Sequence, residues 1–189
     1  MRNNRTKEMT GIALLSAVTV VLALVSNYVT IGTVNLNLAL IPIVVGACIY
    51  GPSAGVFLGI VDGVLVCVAP ATLALFMTHN ALLTIVLCLL KTGLGGLVSG
   101  YVYKLLKNKN DLVAVVLASL ALPIVNTGLF LAFVFLFYIP VYVDLAGTSQ
   151  NIINFIIKST LTINFLIEFI LNLILSPTIH RFIKYKKSN

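Results

Sequence analysis

Tryptophan is absent from this chain of 189 residues, and charge is scarce, with 9% of positions occupied by Asp, Glu, Lys or Arg. A soluble domain carries about 25% charged residues. With 60% hydrophobic residues and a mean hydropathy of +1.11, the composition excludes a water-soluble fold and indicates an integral membrane protein. Acidic side chains are the rarest, five against twelve Lys and Arg. The net charge of +7 does not indicate a nucleic-acid partner, because the basic residues cluster between and beside apolar runs. Arg2, Arg5 and Lys7 precede the first run, Lys104, Lys107 and Lys109 lie mid-chain, and Arg181, Lys184, Lys186 and Lys187 follow the last. This is the pattern that the positive-inside rule produces.

Other absences narrow the function. The three cysteines, Cys48, Cys67 and Cys88, sit inside apolar runs without metal-ligand spacing and read as small packing residues. There is no Walker A sequence, so the chain itself is not expected to hydrolyse ATP. There is no HExxH and no acidic pair with metal-ligand spacing. No enzyme, metal or cofactor is expected; a binding or transport subunit fits better. A basic start before an apolar run could be a signal peptide, but the run is long and lacks a small-x-small cleavage site, so a retained first helix is expected.

What is present is a ladder of glycine. Gly51, Gly55, Gly59 and Gly63 recur at every fourth position, so a helix would stack them on one face. Each costs a helix in water about 1 kcal/mol relative to alanine. In a bilayer the same face lets a second helix approach closely. Gly93, Gly95, Gly96 and Gly100 lie in a later run. The chain divides into about six spans of the length a bilayer needs, at 11–27, 38–50, 52–68, 81–106, 112–139 and 151–183. The connections 28–37, 69–80 and 140–150 carry no Lys or Arg and belong outside. The expectation is one domain, 1–189, an all-α membrane protein of six transmembrane helices in a compact bundle with both termini cytoplasmic. No strong internal repeat is visible, which disfavours an inverted-repeat transporter.

Ionisable residues within spans are functional candidates. Here they are Asp62, Lys91, Lys158 and Glu168. Lys158 shares a four-residue stripe with Asn154 and Thr162, and Asn126 follows Pro123. Lys91, Asn126, Asn154 and Lys158, with Asn37 from the first outer connection, are expected to form a polar substrate pocket in the outer half of the bundle. Two ammonium groups there would suit an anionic ligand, although Lys91 pairing with Asp62 or Glu168, and Lys158 snorkelling to the interface, remain open alternatives. Glu168, in a row with Asn164 and Asn172, is placed towards the inside as a structural or coupling residue. Asp62 is kept as a lysine partner.

These pieces occur in an order. Ala13-x-x-x-Ala17 is followed by Ile41-Pro42-Ile43-Val44-Val45-Gly46 and by Gly51-Pro52-x-x-Gly55-x-x-x-Gly59. Then come Lys91 with Gly96, Ser99-Gly100-Tyr101-Val102-Tyr103-Lys104, Pro123-x-x-Asn126-Thr127-Gly128, and Asn164-x-x-x-Glu168-x-x-x-Asn172 before Pro177. Over nearly its whole length the chain resembles the substrate-binding S components of energy-coupling factor (ECF) transporters. The resemblance implies a multi-pass protein of the cell membrane that binds a vitamin-type small molecule near its outer face. It implies docking of the Ala13 and Ala17 face on a transmembrane scaffold subunit that carries two ATPase subunits, with ATP used only by those partners. Pantothenate is the first candidate, on the strength of the two lysines, then riboflavin or another B vitamin. The segment Asn35-Leu36-Asn37-Leu38-Ala39-Leu40 lacks the Asp-rich character of the riboflavin branch. The alternatives are a self-contained small secondary transporter or channel, and a structural membrane scaffold.

Overall fold

The computed structural model describes residues 2–27, 30–31, 34–146, 151–160 and 165–188. The described residues form α1 (Arg2–Ser26), a two-residue hairpin ladder of β1 (Thr30–Ile31) and β2 (Val34–Asn35), α2 (Leu40–Tyr50), α3 (Pro52–Cys67) and α4 (Pro70–Met77). Then follow α5 (Ala81–Leu106), α6 (Asp111–Phe137), α7 (Ile139–Ala146), α8 (Ile152–Thr160) and α9 (Leu166–Ser188). The protein is all-helical apart from that short ladder.

The glycine ladder makes the central seam. A Cβ added at Gly55 would collide with the Gly96 carbonyl, and one at Gly59 with the Thr92 carbonyl. At Gly63 it would stand 2.8 Å from the Cys88 carbonyl oxygen. The reverse holds for Gly96, whose Cβ would run into Gly55, while at Gly100 a Cβ would lie 2.6 Å from Pro52 Cα. Thus α3 and α5 meet backbone to backbone, as glycines at helical spacing permit. Gly51 opens the ladder with φ +97°, a conformation that side chains other than glycine's rarely adopt. Pro52 then starts α3, where its missing N–H costs nothing.

Against this seam pack α1, α2 and α6, and α9 packs in turn on α6 and α2. Leu40, Ile43, Val44, Leu58, Val115, Leu122, Ile179 and Ile183 form the main apolar core. Asn80 and Asn110 cap α5 and α6, Asn80 Oδ1 accepting from Leu83 N (3.1 Å) and Asn110 Oδ1 from Leu112 N (3.1 Å). Proline at 177 frees the Leu173 carbonyl inside α9, and Ser176 Oγ donates to it (2.7 Å).

The spans differ from the expectation in four places. Helix α1 begins at Arg2 rather than 11, so the basic tail is helical. By length and hydropathy four described helices can cross a membrane, or five if the α3–α4 pair, bent by 61°, counts as one span. Six are not reached because α2 has 11 residues, about 16 Å of rise against a hydrocarbon core of ~30 Å. The expected loop at 140–150 is instead the helix α7 as far as Ala146. Of the expected helix at 151–183 the described residues give α8 and α9, the latter running on to Ser188, and Thr162 and Asn164 lie outside the described residues.

Candidate functional site

The helix directions place two unlike ends in the bundle. At one end lie the start of α1, the end of α5, the start of α6 and the end of α9, which carry ten of the twelve Lys and Arg. There Tyr103 Oη donates to Asp111 Oδ1 (2.8 Å), and His180 Nε2 stands 3.3 Å from Asp111 Oδ2. These contacts tie α5, α6 and α9 together.

At the other end is a cavity of about 90 Å³. The last turn of α1 (Ala23, Ser26), the segment before α2 (Leu36, Asn37), the late turns of α3 (Asp62, Leu65, Val66), and α4 (Ala71, Thr72, Phe76) contribute to it. So do α5 (Thr84, Leu87, Cys88, Lys91), α6 (Asn126, Thr127, Phe130) and the start of α9 with Phe165 and Glu168.

Asn37 organises its polar half. Its Nδ2 donates to Asp62 Oδ2 (2.7 Å), and its backbone N–H donates to Glu168 Oε1 (2.9 Å). Its Oδ1 accepts from Ala39 N (3.0 Å), which fixes the turn into α2. Ser26 Oγ accepts from Leu38 N (2.9 Å) and donates to Leu22 O (2.7 Å), anchoring the same segment to α1. One asparagine therefore holds one oxygen of each of two carboxylates. Asp62 is fully buried and Glu168 is 6% exposed. Among the described residues neither makes a direct ion pair. Lys91 acts electrostatically on both, with its Nζ 5.3 Å from the centre of the Phe130 ring.

The other half is aromatic. Phe76 packs edge-on to Phe130 and Tyr138, with ring centres 5.7 and 5.2 Å apart. Thr84 Oγ1 and Tyr138 Oη share a hydrogen bond of 2.8 Å. Behind them Val141, Tyr142 and Ile156 bring α7 and α8 over the ends of α5 and α6.

Two polar atoms in the cavity wall lack a protein partner, Asp62 Oδ1 and Asn126 Oδ1, and both are buried. In a bilayer, where water is scarce, an unpaired buried acceptor costs about 1–3 kcal/mol or more. A third such atom, Asn172 Oδ1, does not line the cavity; the two in its wall are placed where a bound ligand or water can complete the bonding.

Of the residues singled out from the sequence, Asn37, Lys91 and Asn126 come together here. Asn154 does not: it is exposed on α8 and does not line the cavity. Lys158 belongs to α8, but its side chain lies outside the described residues. Ala13 and Ala17 are exposed side by side on α1. Glu168 corrects the sequence reading. It was placed towards the inside, whereas it lines the cavity and accepts from Asn37 N. Among the described residues Asp62 is hydrogen-bonded to Asn37, and Lys91 acts on it electrostatically without a direct ion pair. The aromatic wall was not singled out; only the apolar character of 69–80 hinted that this connection is buried. The segment 51–55 also spells G-x-S-x-G, but it joins two helices and leaves Ser53 exposed, so it lacks the strand-to-helix context of a nucleophile elbow.

No curated protein matches the chain. A sequence family does, the one described as ECF transporter, substrate-specific component, over residues 7–180. That match covers most of the chain, from the first helix to the last, and the family is one of transport components, not of enzymes. The chain belongs to the substrate-specific components of ECF transporters.

Proposed function

We propose that this protein captures a vitamin-type micronutrient in the cavity between α1, α3, α5, α6 and α9, on the outer side of the cell membrane, and delivers it for ATP-driven uptake by partner subunits. The observation that carries this reading is the pair of unpartnered buried acceptors, Asp62 Oδ1 and Asn126 Oδ1, in the wall of that cavity. Asn37, Lys91 and Asn126 are the ligand-facing residues in this reading, with Asp62 and Glu168 added to them.

Orientation follows from charge. The cavity lies at the end opposite ten of the basic residues, and the positive-inside rule puts those residues in the cytoplasm. Both termini are then cytoplasmic and the cavity opens outward. Six crossings result if α2 serves as a short, buried crossing and the α8–α9 region as the last.

The partners are a transmembrane scaffold and two ATPase subunits. Ala13 and Ala17 offer a small-residue face that is exposed among the described residues, and close helix approach needs such a face. The glycine ladder is already used internally by α5, so docking falls to α1. Replacing both alanines, Ala13→Trp with Ala17→Trp, should abolish uptake by the reconstituted complex and leave ligand binding within twofold of wild type. Uptake by the chain alone into liposomes, without any ATPase, would overturn this reading in favour of a self-contained transporter.

Two lysines would suit a carboxylate such as that of pantothenate. The acidic and basic side chains described in the cavity wall are one lysine and two carboxylates, so the reading names a vitamin-type ligand and not that vitamin.

A further inference from the structure

We propose that the cavity selects a nitrogen heterocycle rich in N–H donors, such as a ring bearing an exocyclic amine, over a carboxylate-bearing ligand. This deepens the reading of the cavity as the substrate site and rests on it.

The first support is what the wall offers. Its unpartnered buried atoms, Asp62 Oδ1 and Asn126 Oδ1, are both acceptors. An ionised carboxylate on a ligand is acceptor-only and can satisfy neither, while an amine or ring N–H can satisfy both. Asn37 already holds the second oxygen of Asp62 and one oxygen of Glu168, so the free Asp62 oxygen is fixed in place before a ligand arrives. A charge-assisted bond to a pre-positioned carboxylate is among the stronger single contacts a binding site can supply.

The second support is charge. Asp62 and Glu168 face one ammonium, that of Lys91, among the described residues of the wall. Lys91 stands over the Phe130 ring and acts electrostatically on both carboxylates. An anionic ligand would stand beside these two carboxyl groups in a buried site, where repulsion from either one, when ionised, is poorly screened. A neutral or cationic heterocycle would not.

The third support is shape and surface. Phe76 and Phe130 supply an aromatic part of the wall that Asn37 and Asp62 also line, and offset or edge-to-face ring contacts favour a flat partner.

The test is calorimetric titration of the full chain in lipid nanodiscs. The amine-bearing probes are thiamin, 2,4-diaminopyrimidine and adenine; the acids are pantothenate and nicotinate. At least one amine-bearing probe should bind tenfold or more tighter than either acid. Asp62→Asn, which keeps the size but replaces the free acceptor's charge, should weaken that probe by about 10- to 100-fold. Asn126→Ala should weaken it too, and serves if the first variant does not fold. Equal or tighter binding of an acid, no binding of any amine-bearing probe, or variants that fold and leave affinity unchanged would each overturn the proposal. Pantothenate binding tightly and being taken up with the ATPase partners would reject the substrate class yet leave the S-component assignment standing. Uptake that ignores the Ala13 and Ala17 substitutions would reject the assignment's docking face and leave the class intact.

Discussion

The two ends of this bundle are built for different purposes. At the basic end the polar groups find each other: the buried Tyr103 and the half-buried Asp111 and His180 link three helices. The apolar core beside them, from Leu40 to Ile183, is closely packed by small and branched side chains. At the other end buried polar groups are gathered but incompletely matched, two acceptors remain without partners, and aromatic rings replace aliphatic packing. Among the described residues the first end pairs these polar side chains within the chain, and the second leaves Asp62 Oδ1 and Asn126 Oδ1 unpaired. A membrane interior makes the contrast meaningful, because an unpaired acceptor there has no water to fall back on.

The seam between the two ends supports both, and breaking it should give the largest effect. Gly55→Leu or Gly96→Leu forces a side chain into the facing backbone, and should cost about 3 kcal/mol or more, with loss of folded protein. Thermal unfolding in detergent measures this. Next, Asn37→Ala removes the side-chain donor to Asp62 and the Oδ1 acceptor that fixes the turn into α2, while the backbone N–H to Glu168 stays. It should weaken substrate binding by about 10- to 100-fold, with a smaller loss of stability, as titration and unfolding on the same preparation would show. At the opposite end Tyr103→Phe deletes one hydrogen bond to Asp111. It should cost about 1 kcal/mol of stability and leave binding unchanged. A binding defect in Tyr103→Phe would erase the division between the ends. The smallest effect is expected at Gly128→Ala, where an added Cβ meets nothing. It should stabilise α6 by at most about 1 kcal/mol and alter neither binding nor uptake.

The sequence made local features legible. Four-residue glycine spacing marked the α3–α5 seam, and α5 occupies the expected 81–106. The break at Gly51-Pro52 was visible because glycine and proline have positional meaning at helix ends. Lys91 and Asn126 stood out as polar groups within apolar runs, and both line the cavity. What was hidden depends on contacts between distant segments. Asn37 and Glu168 are 131 residues apart, and no local pattern ties them. Glu168 was misplaced because its depth was counted along its own helix alone, while its place in the cavity wall is set by its contact with the distant Asn37. The helix at Ile139–Ala146 was missed because Pro140 reads as a loop signal, although proline is tolerated in a helix's first turn.

The most direct test of the central claim is a structure of the protein with its substrate retained through purification. Ligand in the cavity between α1, α3, α5, α6 and α9, with a donor within hydrogen-bond distance of Asp62 Oδ1 or Asn126 Oδ1, is the predicted result. Ligand seated elsewhere, for instance in the apolar groove between α1, α2 and α9 lined by Leu14, Val45 and Phe182, with Asp62 and Asn126 untouched, would contradict it.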